Sequence, residues 1–275
     1  MPFPSISFTV DLEDPSENYL ADGRYIVATQ KIVDLCNELN RKATFFVVGR
    51  IAETAPDLIK IIASSNHEIA FHSHNHVSLT EEDPTLFQQQ TAADKDRLEQ
   101  LSGKPVVGFR APRFSLTPKS IWALDILKEL GFQYSASIMP TNLSLFGFPN
   151  APRTPFLWPN GLIELPLPVA NFGPLHVPYL GGIYLYATPM FLTRWWLKHA
   201  NSQELLWTYT HPYDFDTKEP YQPMPNTPTW ISLILWLARR RAKSKIKSIL
   251  QKSHASTLIE RIGQLSLSGL PQFSL

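Results

Sequence analysis

The stretch ISFTVDLED, residues 6–14, is an apolar, β-branched and aromatic run that ends in three acids, Asp11, Glu13 and Asp14. Such a run reads as a buried strand with a polar tip. A second stretch, EIAFHSHNH at residues 68–76, repeats the pattern and leaves His72 and His76 at its end. Two imidazoles and one carboxylate make a donor set suited to a catalytic divalent metal.

Working outward, five more runs have the same strand character: ATFFVV at 43–48, VVGFR at 106–110, FQYSASI at 132–138, LIELPLP at 162–168 and LLWTYTH at 205–211. Helical patterns separate several of them, roughly Arg24 to Leu39, Ala52 to Ser64, Asp83 to Leu101 and Pro118 to Leu130. The alternation predicts an α/β fold of parallel strands with crossover helices. Thr117 is expected to cap the helix that Pro118 opens, and Gly131 to stop it. Residues 146–186, rich in proline and glycine, are expected to form long loops rather than a second domain.

The 275 residues suffice for one substantial core. Residues 1–228 are expected to form a barrel with loop insertions, and 229–275 a basic helical extension packed on the barrel or on a membrane surface. Residues 218–230, KEPYQPMPNTPTW, read as a proline-rich strap leading to that extension. The tail joins an apolar run, WISLILWLA at 230–238, to seven basic residues between 239 and 252. It reads either as a cap on the barrel or as an adaptor for an anionic membrane. One cysteine, Cys36, excludes an intramolecular disulfide and a cysteine-based metal cluster, and its setting in IVDLCNEL predicts buried packing. A formal charge of +1 gives no argument for a nucleic-acid partner. With no visible leader or spanning run, the expected location is cytoplasmic, with peripheral contact at the inner face of the membrane.

The polar residues that directly follow the apolar runs are Asp11, His72, Arg110, Glu164 and His211. Parallel barrel strands gather their chemistry at their carboxyl ends, so these positions can share one pocket. Residues two apart on a strand point the same way, which lets Asp11 and Glu13 face that pocket while Leu12 faces the wall. Asp11 is then expected to take a proton from water, and Glu13 or Asp14 to bind the ion. Four residues apart, His72 and His76 would share one side of a helix or tight helical turn. His74 is expected to turn away, and His67 to be a surface or satisfied residue. Arg110 can hold Asp11 ionised and oriented. A charged His211 can protonate a leaving amine, oriented by Asp214 or Asp216.

At these residues the chain resembles the NodB-type polysaccharide deacetylases, carbohydrate esterase family four, and among them the group found in exopolysaccharide and O-antigen gene clusters. TVDLED, residues 9–14, is similar to the family's first motif, HSHNH at 72–76 to its second, RAPRF at 110–114 to its third, and YTHPYD at 209–214 to the motif with the general acid. The resemblance implies a deformed seven-stranded (β/α) barrel that removes acetyl from an N-acetylated sugar or glycan. It implies a divalent ion, most often zinc, on His72, His76 and a carboxylate, with Glu13 favoured over Asp14. Asp11 would be the base, Arg110 its partner, His211 the acid, and the backbone N–H near Arg113 part of an oxyanion site. Ser135 stands where close relatives often carry aspartate, which is expected to alter the network that supports the acid. Glu164, Trp158, Tyr184 and Tyr186 are candidates to line a sugar cleft. The alternatives are a related amidohydrolase acting on a small cyclic or linear amide, and a carbohydrate-binding protein that retains metal without turnover. Oligomeric state is not legible.

Overall fold

The computed structural model describes residues 3–274 except 16–18, 21–22, 142–146, 174, 222, 224–227 and 255. In chain order its elements are β1 (Ile6–Leu12), α1 (Arg24–Glu38), β2 (Ala43–Val47), α2 (Gly49–Thr54), α3 (Pro56–Ser64), β3 (Glu68–Phe71), α4 (Pro84–Ser102), β4 (Gly108–Phe109), α5 (Trp122–Glu129) and β5 (Tyr134–Ser135). There follow β6 (Phe156–Leu157), β7 (Ile163–Glu164), β8 (Val169–Phe172), β9 (Leu175–Pro178), α6 (Gly182–Ala187), α7 (Met190–Lys198), β10 (Leu206–Thr210), α8 (Thr229–Arg239), α9 (Ala242–Lys252) and α10 (Leu258–Ile262).

All seven expected strands lie in one sheet, ordered β10-β1-β2-β3-β4-β5-β7-β6. The seven pair in parallel; β6 adds an antiparallel edge, and β8 and β9 form a separate hairpin. The sheet curls into a half-barrel. In a flat sheet three strand spacings would set β4 about 14 Å from β1, yet the Arg110 side chain, just past β4, donates from Nη1 to Thr9 Oγ1 on β1 at 2.8 Å. The fold is therefore an α/β barrel, deformed and open on one side.

Two helix expectations change in detail. The segment from Ala52 to Ser64 is broken into α2 and α3, with Pro56 opening the second helix. Proline at a first turn is tolerated because its missing N–H has no helical partner there, whereas within one long helix it would break the ladder. Pro118 opens a turn, not a helix: the Ser120 side chain accepts from Thr117 N at 2.9 Å, and α5 starts at Trp122. Gly131 does end that helix region, at φ +81°.

The tail is woven into the barrel's base. Ala242, Ile246, Ile249 and Leu250 of α9 are buried in the main apolar core. Leu258 and Ile262 of α10 join the cluster that holds Trp207 and Tyr134. Thr257 caps α10 in a reciprocal box with Glu260. Leu258 N donates to Thr44 Oγ1 at 2.9 Å and Ile259 N to Glu68 Oε2 at 3.2 Å. Among the described residues no helix is long and apolar enough to cross a membrane.

Candidate active site and metal centre

β1 and β10 are adjacent and in register, Val10 opposite Thr210, so Asp11 and His211 leave the sheet side by side. β3, two strands round from β1 with β2 between them, delivers His72. The curl brings these strand ends together, and Asp11, Glu13, His72 and Arg110 are all buried.

Glu13, His72 and His76 present donor atoms that all lie within 4.8 Å of one another. Glu13 Oε2 is 2.5 Å from His76 Nε2 and 3.9 Å from His72 Nε2. Asp14, the other candidate carboxylate, is partly exposed and stands outside this group. His72 and His76 do not converge on a helical turn. They are brought together by an irregular loop in which Ser73 (φ +62°) and His76 (φ +58°) both take the left-handed conformation, and Ser73 Oγ accepts from His76 N at 3.1 Å. Left-handed backbone at two non-glycine residues is costly and persists only where the surroundings enforce it. His74 points away and pairs with Asp94 through Nδ1 at 2.8 Å.

The donor chemistry fits a divalent ion. His72 donates Nδ1–H to the Arg110 carbonyl at 2.8 Å, which leaves the Nε2 lone pair facing Glu13. Burial holds His72 down at about 4 against the pull of Asp11, so the ring is neutral. Burial pushes the Glu13 carboxyl up, but the combined attraction of His76, His211 and His72 outweighs it and sets Glu13 at about 2. A buried carboxylate anion beside the neutral His72 ring is the charge state a metal site needs.

Arg110 is paired with Asp11 through Nη1 and donates Nε–H to the Ala136 carbonyl at 3.3 Å. Its guanidinium carbon lies 3.9 Å from the Phe46 ring centroid and 4.3 Å from that of Trp207. Packed aromatic faces stabilise the buried cation and fix its orientation. On the other side, burial opposes charge on His211. The Asp214 hydrogen bond, together with the charges of Glu13, Asp214 and Asp11, prevails and lifts its pKa to about 9. Asp214 Oδ2 is 3.2 Å from His211 Nδ1 and also accepts the His211 backbone N–H at 2.9 Å. Asp216 is committed elsewhere, to Arg24 at 2.6 Å.

Tyr213 is a site residue that sequence reasoning missed. Its ring stacks on His211 at 4.6 Å between centroids and 7° between planes, and its hydroxyl donates to Glu13 Oε1 at 3.4 Å. The available signal was its place two residues after His211 in HPYD. Tyr184 and Tyr186 are near enough to Tyr209 to influence it electrostatically, so α6 borders the site. Gly182 makes that approach possible: at φ +50°, a Cβ there would come within 2.7 Å of the Tyr209 ring. Glu164 and Trp158 do not line a cleft. Glu164 is fully buried and accepts from Ser137 N at 2.7 Å and Trp158 Nε1 at 3.1 Å, while Trp158 packs among Phe148, Phe156 and Phe273. Ser135 bonds Ser137 at 2.7 Å in that same buried network. Arg113 and Phe114 both sit at φ +56°, a second strained turn directly after Arg110.

Two segments of the chain match known protein families. Residues 19–135 match the family model for polysaccharide deacetylases, and residues 136–262 match a domain of unknown function, DUF3473. A peptidoglycan deacetylase-like protein of Gibberella zeae is 37% identical over 125 residues, 43% of this chain and 35% of that protein. A peptidoglycan-N-acetylglucosamine deacetylase of Bacillus cereus is 33% identical over 105 residues, 38% of each chain. The matched region thus spans between a third and two fifths of these relatives. A crystal structure from Mycobacterium smegmatis, assigned to the polysaccharide deacetylases, superposes with a TM-score of 0.66 at 19% identity, covering 100% of this chain and 94% of that one. The allantoinase PuuE gives 0.60 at 12% identity, covering 94% and 89%, a likeness of fold alone. Residues 19–135, the segment that matches the polysaccharide deacetylase model, carry His72, His76 and Arg110. Asp11 and Glu13 precede that match, and His211 lies in the DUF3473 region.

Proposed function

We propose that this chain is a metal-dependent N-deacetylase that hydrolyses the acetamido group of an N-acetylated sugar in a surface glycan or its precursor. The observation that carries the reading is the convergence, at one end of the sheet, of Glu13, His72 and His76 with the Asp11–Arg110 pair and the His211–Asp214 pair. Glu13, His72 and His76 would hold the ion, most simply zinc. When bound, such an ion supplies Lewis-acid polarisation of an amide carbonyl and makes water at the site more acidic.

The protein's own groups divide the proton transfers. Arg110 takes Asp11 Oδ1 and leaves Oδ2 to accept a proton from the attacking water. That water forms the new C–O bond to the acetyl carbon. His211, charged at neutral pH because its pKa is about 9, gives a proton to the amide nitrogen as the C–N bond breaks. Acetate and a free amine leave, and Asp214 keeps the imidazole oriented throughout. The backbone beside Arg113 is our candidate for an oxyanion contact.

The resemblance of TVDLED, HSHNH, RAPRF and YTHPYD to enzymes of exopolysaccharide and O-antigen clusters supports a surface-polysaccharide role, and a cytoplasmic location at the membrane's inner face is part of the same proposal. The test is to incubate the zinc-loaded chain with nucleotide-, lipid- and oligomer-linked N-acetylhexosamines while measuring acetate release and product mass. Stoichiometric acetate with the matching mass loss is expected from one class. No acetate from any class, with zinc demonstrably bound, would overturn the reading.

A further inference from the structure

α8 is apolar on both sides: Ile231, Leu235 and Trp236 are half-buried, and a second apolar face is turned to solvent. Its apolar residues Trp230, Leu233, Ile234 and Leu237 follow the i, i+3, i+4, i+7 spacing of one helix face and are 66%, 42%, 55% and 47% exposed. The apolar stripe of a helix in a globular protein normally faces the core. Here Ser232 is the helix's one buried residue among those described, and the stripe faces solvent.

Charge adjoins the stripe. Arg240 and Arg241 continue it into the next turn, both exposed, followed by exposed Lys243. From Pro220 to Ile259 the chain has seven Lys and Arg residues and no Asp or Glu. Three of the other cations have internal duties: Arg239 pairs with Glu219, Lys245 donates to the Leu185, Tyr186 and Thr188 carbonyls, and Lys247 pairs with Glu38. The exposed ones lie beside the stripe, where they complement an anionic surface.

We infer that α8 is a membrane-docking element that lies in the plane of an anionic lipid surface. Its stripe enters the headgroup and acyl boundary, and Arg240, Arg241 and Lys243 meet the lipid phosphates. With 11 residues α8 is too short to span a bilayer. Apolar residues on one face beside a cationic run are the pattern of an interfacial helix. A second copy of this chain is a poorer occupant, because two such cationic faces would be brought together. The helix also touches the candidate site: the Arg239 guanidinium is 5.2 Å from the Tyr213 ring centroid, and Tyr213 stacks on His211. Docking would therefore hold the site close to the lipid surface and suit a sugar carried on a lipid. That corollary rests on the deacetylase reading, whereas the docking does not.

Sedimentation of the full chain with vesicles of phosphatidylcholine, with and without phosphatidylglycerol, tests the docking apart from any activity. Wild type should sediment with the anionic vesicles, increasingly less as salt is raised, and stay in solution with the neutral ones. Trp230→Glu/Ile234→Glu should partition at least about 10-fold more weakly, and Arg240→Ser/Arg241→Ser should lose most of the salt dependence. Wild type that ignores anionic vesicles would overturn the inference. So would sedimentation unchanged by Trp230→Glu/Ile234→Glu, or a dimer in light scattering that this variant splits. Should the glutamate variant misfold, quenching of wild type by brominated phosphatidylglycerol, compared with Trp230→Phe, decides. Equal quenching of the two chains would then overturn it.

Discussion

Asp11 and His211 leave neighbouring strands with opposite charge and different partners, Arg110 for one and Asp214 for the other. Their separate proton transfers give separable defects. Asp11→Asn keeps the shape but removes the acceptor, so zinc should remain bound while amide hydrolysis falls by roughly 10²- to 10⁴-fold. An activated aryl ester should suffer as much, since attack by water is common to both substrates. His211→Ala should be severe on the N-acetyl sugar and mild on the aryl ester, whose leaving group departs without protonation. Equal His211→Ala losses on both substrates, with zinc retained, would contradict the assignment of His211 as acid. The carboxylate assignment is tested by calorimetric titration with zinc. Glu13→Gln should weaken binding by at least about 10-fold and Asp14→Asn should leave it near wild type. The reverse order would move the ligand to Asp14.

At the scale of elements, the sequence made the strands legible because each is a short apolar run, buried throughout or nearly so, with its functional residue at or just past its carboxyl end. The His72 loop was not legible, because spacing of four suggests a helix and nothing local announces two left-handed residues held by tertiary contacts. The start of α5 was missed because Ser120 competes for the backbone just where Pro118 invites a helix. Trp158 and Glu164 were misplaced because a strand-end acid and a nearby aromatic ring read alike whether they line a cleft or bond each other. His67, at the entry to β3, is buried: its Nδ1 accepts the Ala43 N–H at 3.2 Å, and burial lowers its pKa from 6.5 to about 4. Between those values the unfolded chain binds the proton and the folded chain does not. Stability from this site is therefore complete above pH 6.5 and is lost as pH falls through 4, by up to about 3 kcal/mol. Urea midpoints measured across that window should fall less steeply in His67→Gln, and an identical slope in both proteins would remove His67 from the account.

For the whole molecule, the question is whether residues 229–275 are an appendage, as composition alone permits, or part of the barrel. Ile246, Ile249, Leu250, Leu258 and Ile262 are all buried. Gln272 bridges to Leu157, and Phe273 sits 5.2 Å from Phe156 between ring centroids. Each buried Ile or Leu contributes about 1.5–3 kcal/mol. Five of them together match the 5–15 kcal/mol by which a typical domain is stable. Removal would also leave Glu68 without the Ile259 N–H and expose the base of the sheet. A chain cut after Pro228 should therefore fail to give a cooperative thermal transition and should bind zinc poorly, whereas Trp230→Glu/Ile234→Glu, which changes only exposed positions, should melt close to wild type. Circular dichroism melts of the two proteins make the comparison. A truncated chain that melts cooperatively near the wild-type temperature would show that α9 and α10 cover a core able to close without them, and would make the tail an adaptor instead of a wall of the barrel.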